Sequence, residues 1–527
     1  MRMWSLRGRT IKGALRLLGL GAALVLVALA AADLASGSGS LAAEGCTITL
    51  SPGESIQQAI DDAPPGAVIC LEEGTWEENL VIEKSVTLRG AGPGKTVIRS
   101  AGKTRPVVWI RGSEIEVILE GLTITGAWGG LWTDEAGLLV RGSARVSLTE
   151  CIVAGNEKDG LHVGKSAWVG LKDCWISDNA HCGISKERKA TVTGRGNWVR
   201  YNVQDFCDFS PPSGFLRKSP PKPLVDRAEV CPKGCQFSTI QEAIARTRPG
   251  GTVHIHEGVY LGGMALVKDL TLEGEGKEKT IITGGTSGLR IAGEAVVAIR
   301  NLQVSGNRDN GLVVWGSARV SLTNSQVSGN GCGLWVGSSA QVSLQDCQVS
   351  GNTYHGLLVK GSARVTLQGS TVSGNAWGLG VGDSAQVTIQ DSQVSGSRHS
   401  GLWVGSSAHV TVQGSQVSGN GGHGLYVEDS ARVSLKDSQV SGNGVDGLLV
   451  EDSAHVTVQG SQVLGNGRTG LSVYDSARAR VFNNKFLNNG GYGIWANSSD
   501  NIVECRGNVF SGNGRGTYND AAAWKCR

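Results

Sequence analysis

Five acidic side chains recur at matching places in neighbouring copies of one short sequence unit: Glu428 and Glu451, then Asp429, Asp452 and Asp475. If the copies stack as strands of one sheet do, about 4.8 Å apart, the glutamates form a close pair. A separation near ~5 Å lets one carboxylate attack a glycosidic carbon while the other donates a proton. Crowded carboxylates also repel, so one takes up a proton or a hard cation bridges them through oxygen ligands. Glu428 and Glu451 are thus the candidate catalytic residues, and Asp429, Asp452 and Asp475 the candidate ligands of a calcium ion; no cofactor is otherwise required. The simpler alternative is a solvated strand end that discourages edge pairing. Trp335, Trp403, Tyr426 and Trp495 share one outward position of the repeat, Trp403, Tyr426 and Tyr474 would flank the glutamate pair, and flat aromatic faces on a rigid sheet can stack on sugar rings. A need for amphipathic rings fits 14 tryptophans against 7 phenylalanines; plain stabilisation of an outer strand face is the rival account. His254 and His256 share a strand face with Glu257 beside them, but lack a third aligned metal ligand, and His409 and His455 read as surface residues.

Positioning these groups falls to a repeat. Glycines from Gly311 to Gly493 recur in steps of 22 or 23 residues, and Gly137, Gly160 and Gly183 repeat the step of 23. Each unit holds three short alternating segments ended by Gly, Ser, Asp or Asn, the pattern of strands and turns. Three strands per copy wind into a right-handed parallel β-helix, an all-β solenoid in which every strand pairs with its equivalent one coil away. Asn307, Asn330, Asn352, Asn375, Asn420, Asn443, Asn466, Asn489 and Asn513 then form an amide ladder at one bend, interrupted by Ser397. Amphipathic segments from Ser55 to Ile60 and from Thr239 to Ile244 carry capping-box spacing and precede Pro65-Gly66 and Pro249-Gly250. They predict short helices that plug two solenoid ends.

The expected organisation is a secretory signal over residues 1–43, a first capped β-helix over 44–209, a proline-rich linker over 210–226 and a second capped β-helix over 227–527. Five basic residues precede the apolar run from Leu17 to Ala32, which is short for a membrane span. Losing residues 1–43, with five basic residues against Asp33, takes the formal charge from +3 to −1. Such a chain lacks the basic footprint of a nucleic-acid binder and has no stable membrane span after signal removal. In a secreted or cell-envelope protein, twelve cysteines predict disulfides. Cys151 and Cys174, 23 apart, are expected to bridge adjacent coils, with further bridges Cys231–Cys235 and Cys505–Cys526. The pairing of Cys46, Cys70, Cys182, Cys207, Cys332 and Cys347 stays open.

The run Thr239-Ile-Gln-Glu-Ala-Ile244, followed by Pro249-Gly-Gly-Thr-Val253, Gly258-Val-Tyr260 and the Ser-Gly-Asn coils, resembles the pectate-lyase superfamily of parallel β-helix repeat proteins. The resemblance covers nearly all of the chain after residue 43. It implies the fold and a carbohydrate bias, in a group spanning polysaccharide lyases, glycoside hydrolases, pectin esterases, sugar epimerases and non-enzymatic surface proteins. Of the hydrolase branch's motif set only His355-Gly356 and His423-Gly424 occur, and the epimerase Asp-Pro-His motif is absent. The expected function is binding of a polysaccharide or cell-surface glycan along the outer sheet of the second solenoid. The alternatives are a structural or adhesive spacer, and a polysaccharide lyase or glycoside hydrolase.

Overall fold

A computed structural model describes residues 45–102, 105–127, 136–220, 223–523 and 526; the signal segment expected over 1–43 lies outside them. All pairings between named strands are parallel, each strand with its equivalent one coil away. Two stacks result. The first has sheets of seven, six and six strands, the second of thirteen, twelve and twelve. Each stack encloses its own apolar core, one running from Leu50 to Phe215 and the other from Ala228 to Ala522. Alternation explains the cores: in Arg319–Thr323, for example, Val320 and Leu322 point inward while Arg319 is exposed.

Helices α1 (Ile56–Asp62) and α2 (Ile240–Arg246) close the entry of each core. Ser55 and Thr239 are their N-caps, accepting from the backbone N–H of Gln58 and Glu242. Beyond α2 the chain does not turn away at Pro249-Gly250. It passes straight into the strand Thr247–Ile255, and the extra residues appear as a register shift against Val225 and Arg227. Phe215, within the proline-rich segment, is fully buried in the first core and stacks edge-on to Phe206. That segment thus seals the end of the first solenoid as well as leading to the second.

The stacks touch each other. Ala245 of α2 packs with Trp175 and Trp198 of the first solenoid, and ion pairs cross over, among them Arg290–Glu157 at 2.6 Å and Lys268–Asp178 at 3.6 Å. Burial pushes the Asp178 carboxyl up and the Lys268 ammonium down, each countered by the charge of the other.

Polar ladders run inside the bends. Asn307 Nδ2 donates to Asn330 Oδ1 at 2.9 Å, and the pattern continues coil after coil to Asn513. Ser397 breaks it, because a hydroxymethyl is too short to reach the neighbouring amides. A second ladder passes through Ser370, Ser392, Ser415, Ser438 and Ser461, each hydroxyl accepting the backbone N–H of the preceding member.

That second ladder explains a correction. Cys151 and Cys174 are buried thiols, not a disulfide. Both occupy the serine position of the bend, and their Sγ atoms bond back to the carbonyls of Thr149 and Lys172 at 3.4 Å, as the serines do to their own i−2 carbonyls. Stacking brings the two thiols into contact, but each stays a thiol bonded to its bend carbonyl rather than joining in a bridge. Cys347 holds the same position in the second solenoid. Bridges do join Cys46–Cys70, Cys182–Cys207, Cys231–Cys235 and Cys505–Cys526. Such bridging is the chemistry of an extracytoplasmic protein. Among the described residues no helix is long and apolar enough to cross a membrane.

Candidate functional site

Strands Leu402–Val404, Leu425–Val427, Leu448–Val450, Leu471–Val473 and Tyr492–Ala496 stack in register. Residues such as Leu402, Val404, Leu448, Val450 and Ile494 point into the core, so Trp403, Tyr426, Leu449 and Trp495 between or beside them face outward. The outward column reads Trp335, Leu358, Gly380, Trp403, Tyr426, Leu449, Ser472 and Trp495. Trp403 and Tyr426 are therefore adjacent, whereas Trp335 and Trp495 each stand three coils away from them. Tyr474 joins Trp495 instead, with ring centroids 4.4 Å apart.

The indoles lie flat. A Cβ added at Gly337 would meet the Trp335 ring at 2.7 Å, and one at Gly405 would meet Trp403 at 3.0 Å. A glycine two residues on thus lets each ring fold over the backbone and present a face. Trp403 Nε1 donates to Glu428 Oε1 at 2.9 Å, and the Tyr426 hydroxyl donates to Glu451 Oε1. Each glutamate is thereby tied to the aromatic residue of the coil before it. Burial, then the hydroxyl's hydrogen bonds to Glu428 and Glu451, push the Tyr426 phenol far above its usual range. It stays protonated as a donor and is unsuited to act as a base.

The aspartate column has a different task. Asp429, Asp452 and Asp475 sit in the left-handed region, at φ 58°, 57° and 52°, which Asp tolerates better than most residues. Each accepts a backbone N–H one coil earlier: Asp429 from Ser406 at 2.7 Å, Asp452 from Asp429 at 3.0 Å, Asp475 from Asp452 at 3.4 Å. Asp383 does the same for Gly361. One oxygen of each carboxylate is thus committed to bracing the corner.

Sequence reasoning missed the groups beside Tyr426. The His423 ring lies 5.9 Å from it, and His423 Nδ1 accepts the Asp446 backbone N–H at 3.3 Å. In the neutral ring the proton therefore sits on Nε2. Asp446 Oδ2 is 3.6 Å from Nδ1, while Oδ1 accepts from the Thr469 N–H at 2.8 Å. Burial pushes His423 down and Asp446 up, partly offset by their mutual attraction. Burial, then the charge of Asp446, raises the Tyr474 phenol. Upstream, His355, Trp377 and His399 stack at 6.3 and 4.8 Å between centroids. The repeat glycine immediately after His355, Trp377 and His423 was the available signal, since it marks one common position at the start of each coil's first strand. A separate cavity of about 210 Å³ lies between the solenoids, lined by Thr125, Ala154, Gln241 and Met264 among others, away from all of these groups.

No curated protein matches the chain. Among solved structures it is similar to the A-module of a mannuronan C-5 epimerase from Azotobacter vinelandii, at 14% identity and TM-score 0.31, covering 88% of this chain and 94% of that one. An alginate lyase from a Paenibacillus species is similar at 14% identity and TM-score 0.34, covering 56% and 99%. A pectin methylesterase from Erwinia chrysanthemi is similar at 12% identity and TM-score 0.27, covering 54% and 92%. The family model described as periplasmic copper-binding protein (NosD) matches residues 273–431. The model described as right handed beta helix region matches residues 77–210 and 377–523, more than half of the chain, which therefore belongs to the right-handed β-helix family.

Proposed function

We propose that this is a secreted or cell-envelope protein that binds a polysaccharide or surface glycan along the outer face carrying Trp403, Tyr426, Tyr474 and Trp495. The observation that carries the reading is the pairing of two adjacent rings with acceptors: Trp403 with Glu428, and Tyr426 with Glu451. A ring that stacks on a sugar beside a carboxylate that accepts its hydroxyls is the usual economy of carbohydrate recognition. The register sets these two pairs on adjacent coils, about 4.8 Å apart, close enough to act on one glycan. Calcium at Asp429, Asp452 and Asp475 would stiffen the adjoining corner by neutralising its stacked charges.

Glycan pull-down and depolymerisation assays, each run with calcium and with chelator, test the reading. Retention of a polysaccharide by the wild type, weakened in Trp403→Ala and released without products, supports it. Product formation lost in Glu428→Gln/Glu451→Gln would replace it with a carbohydrate-cleaving enzyme. Failure to retain any glycan would leave the rod as a spacer.

A further inference from the structure

At the other end of the second solenoid, three coils bring together residues far apart in sequence. Glu229, His254 and Glu273 stand in one column of the thirteen-stranded sheet. Val253 and Ile255 point into the core, so His254 points outward, and His256 follows just beyond the strand. The two imidazoles meet edge to face, 4.8 Å between centroids. His256 is held from both sides, its Nε2 2.9 Å from Glu229 and its Nδ1 2.9 Å from Glu275. His254 Nδ1 is buried and makes no hydrogen bond; the Glu273 carboxylate is 3.5 Å away.

We infer that Glu229, His254 and His256 form a binding site for a divalent first-row transition ion of the zinc type. One ligand atom from each lies within 4.8 Å of the other two. Bonds of about 2.0–2.1 Å around a tetrahedral ion need ligand atoms about 3.3 Å apart, a closure that side-chain rotation supplies. Two imidazoles with one carboxylate favour such an ion over calcium or magnesium, which take oxygen ligands. Glu275 accepts from Nδ1–H of His256 and so aims Nε2 at the ion, the usual carboxylate–histidine–metal relay. Charge also matches: three carboxylates, Glu229, Glu273 and Glu275, gather here, and Arg227 pairs with Glu229 at 2.7 Å and Glu273 at 3.4 Å. The inference is independent of the glycan face, which lies many coils away.

Isothermal titration of the full chain with Zn²⁺, under non-reducing conditions that keep Cys182–Cys207 bridged, tests it. One equivalent is expected to bind the wild type. His254→Gln/His256→Gln is expected to weaken binding about a hundredfold or more, and the positioning change Glu275→Gln about tenfold. His423→Gln is expected to bind as the wild type does. Undiminished binding in the double variant, or none by the wild type, would overturn the inference. Should the double variant misfold, Co²⁺ titration of the wild type decides: visible bands of tetrahedral imidazole ligation support the site, and their absence refutes it.

Discussion

Two histidine–carboxylate clusters sit on the same solenoid and have been put to different uses by their surroundings. Near α2, His254 and His256 face outward among Glu229, Glu273 and Glu275, and only side chains compete for their nitrogens. Around Tyr426, the His423 ring is partly sunk at the bend, and a backbone N–H of the next coil occupies its Nδ1. Asp446 is likewise engaged by the Thr469 N–H. A ring whose lone pair is taken by the backbone supports structure and shape. One whose nitrogens meet only carboxylate side chains can exchange such a contact for an ion.

The largest expected contrast is in metal-dependent stability. Zn²⁺ at about one hundred times its Kd should stabilise the wild type and His423→Gln by ~2.7 kcal/mol, and His254→Gln/His256→Gln by no more than ~0.4 kcal/mol, in a thermal melt. An equal response in all three would erase the distinction. Next comes Trp403→Ala, expected to weaken glycan retention about tenfold, ~1.4 kcal/mol, with zinc binding unchanged; unaltered retention in affinity electrophoresis would remove the aromatic platform. Tyr426→Phe, which deletes the donor to Glu451 but keeps the ring, should cost ~1 kcal/mol in melts and less affinity than Trp403→Ala does.

The smallest effect is in pH dependence. Burial depresses His423, so the folded state disfavours its charged form; its contribution is whole above about pH 6.5 and is lost as pH falls toward the lower folded value. Asp446 is raised, so its contribution is greatest at low pH and is lost as pH rises through its folded value. The stability gap between wild type and His423→Gln should therefore narrow in acid, while that for Asp446→Asn should widen. Melts between pH 7 and 5 that show parallel trends for the two variants would mean that neither ring nor carboxylate is as enclosed as described.

Much of this was legible in the letters. A 22–23-residue step, Val and Leu at alternate places and Asn at each bend leave little choice but stacked parallel coils, because any other register would expose the apolar ladder. The helix caps at Ser55 and Thr239 and the bridges Cys231–Cys235 and Cys505–Cys526 followed from local spacing. Spacing failed where direction mattered. Cys151 and Cys174 stand one coil apart, yet their sulfurs serve the bend. Glu229 escaped notice as the partner of His256 because the step from Glu229 to His254 departs from the repeat, where the strand takes up the register shift around Pro249-Gly250.

The sequence by itself determined the solenoid, its phase and which residues face out, since each depends on short-range alternation repeated often enough to be unambiguous. The tertiary structure alone decided which outward groups touch: that Trp403 holds Glu428, that Tyr426 holds Glu451, and that two histidines meet a glutamate from the preceding coil. Those contacts turn on rotamers and on one irregular crossing between coils, and both are set by neighbours that are distant along the chain.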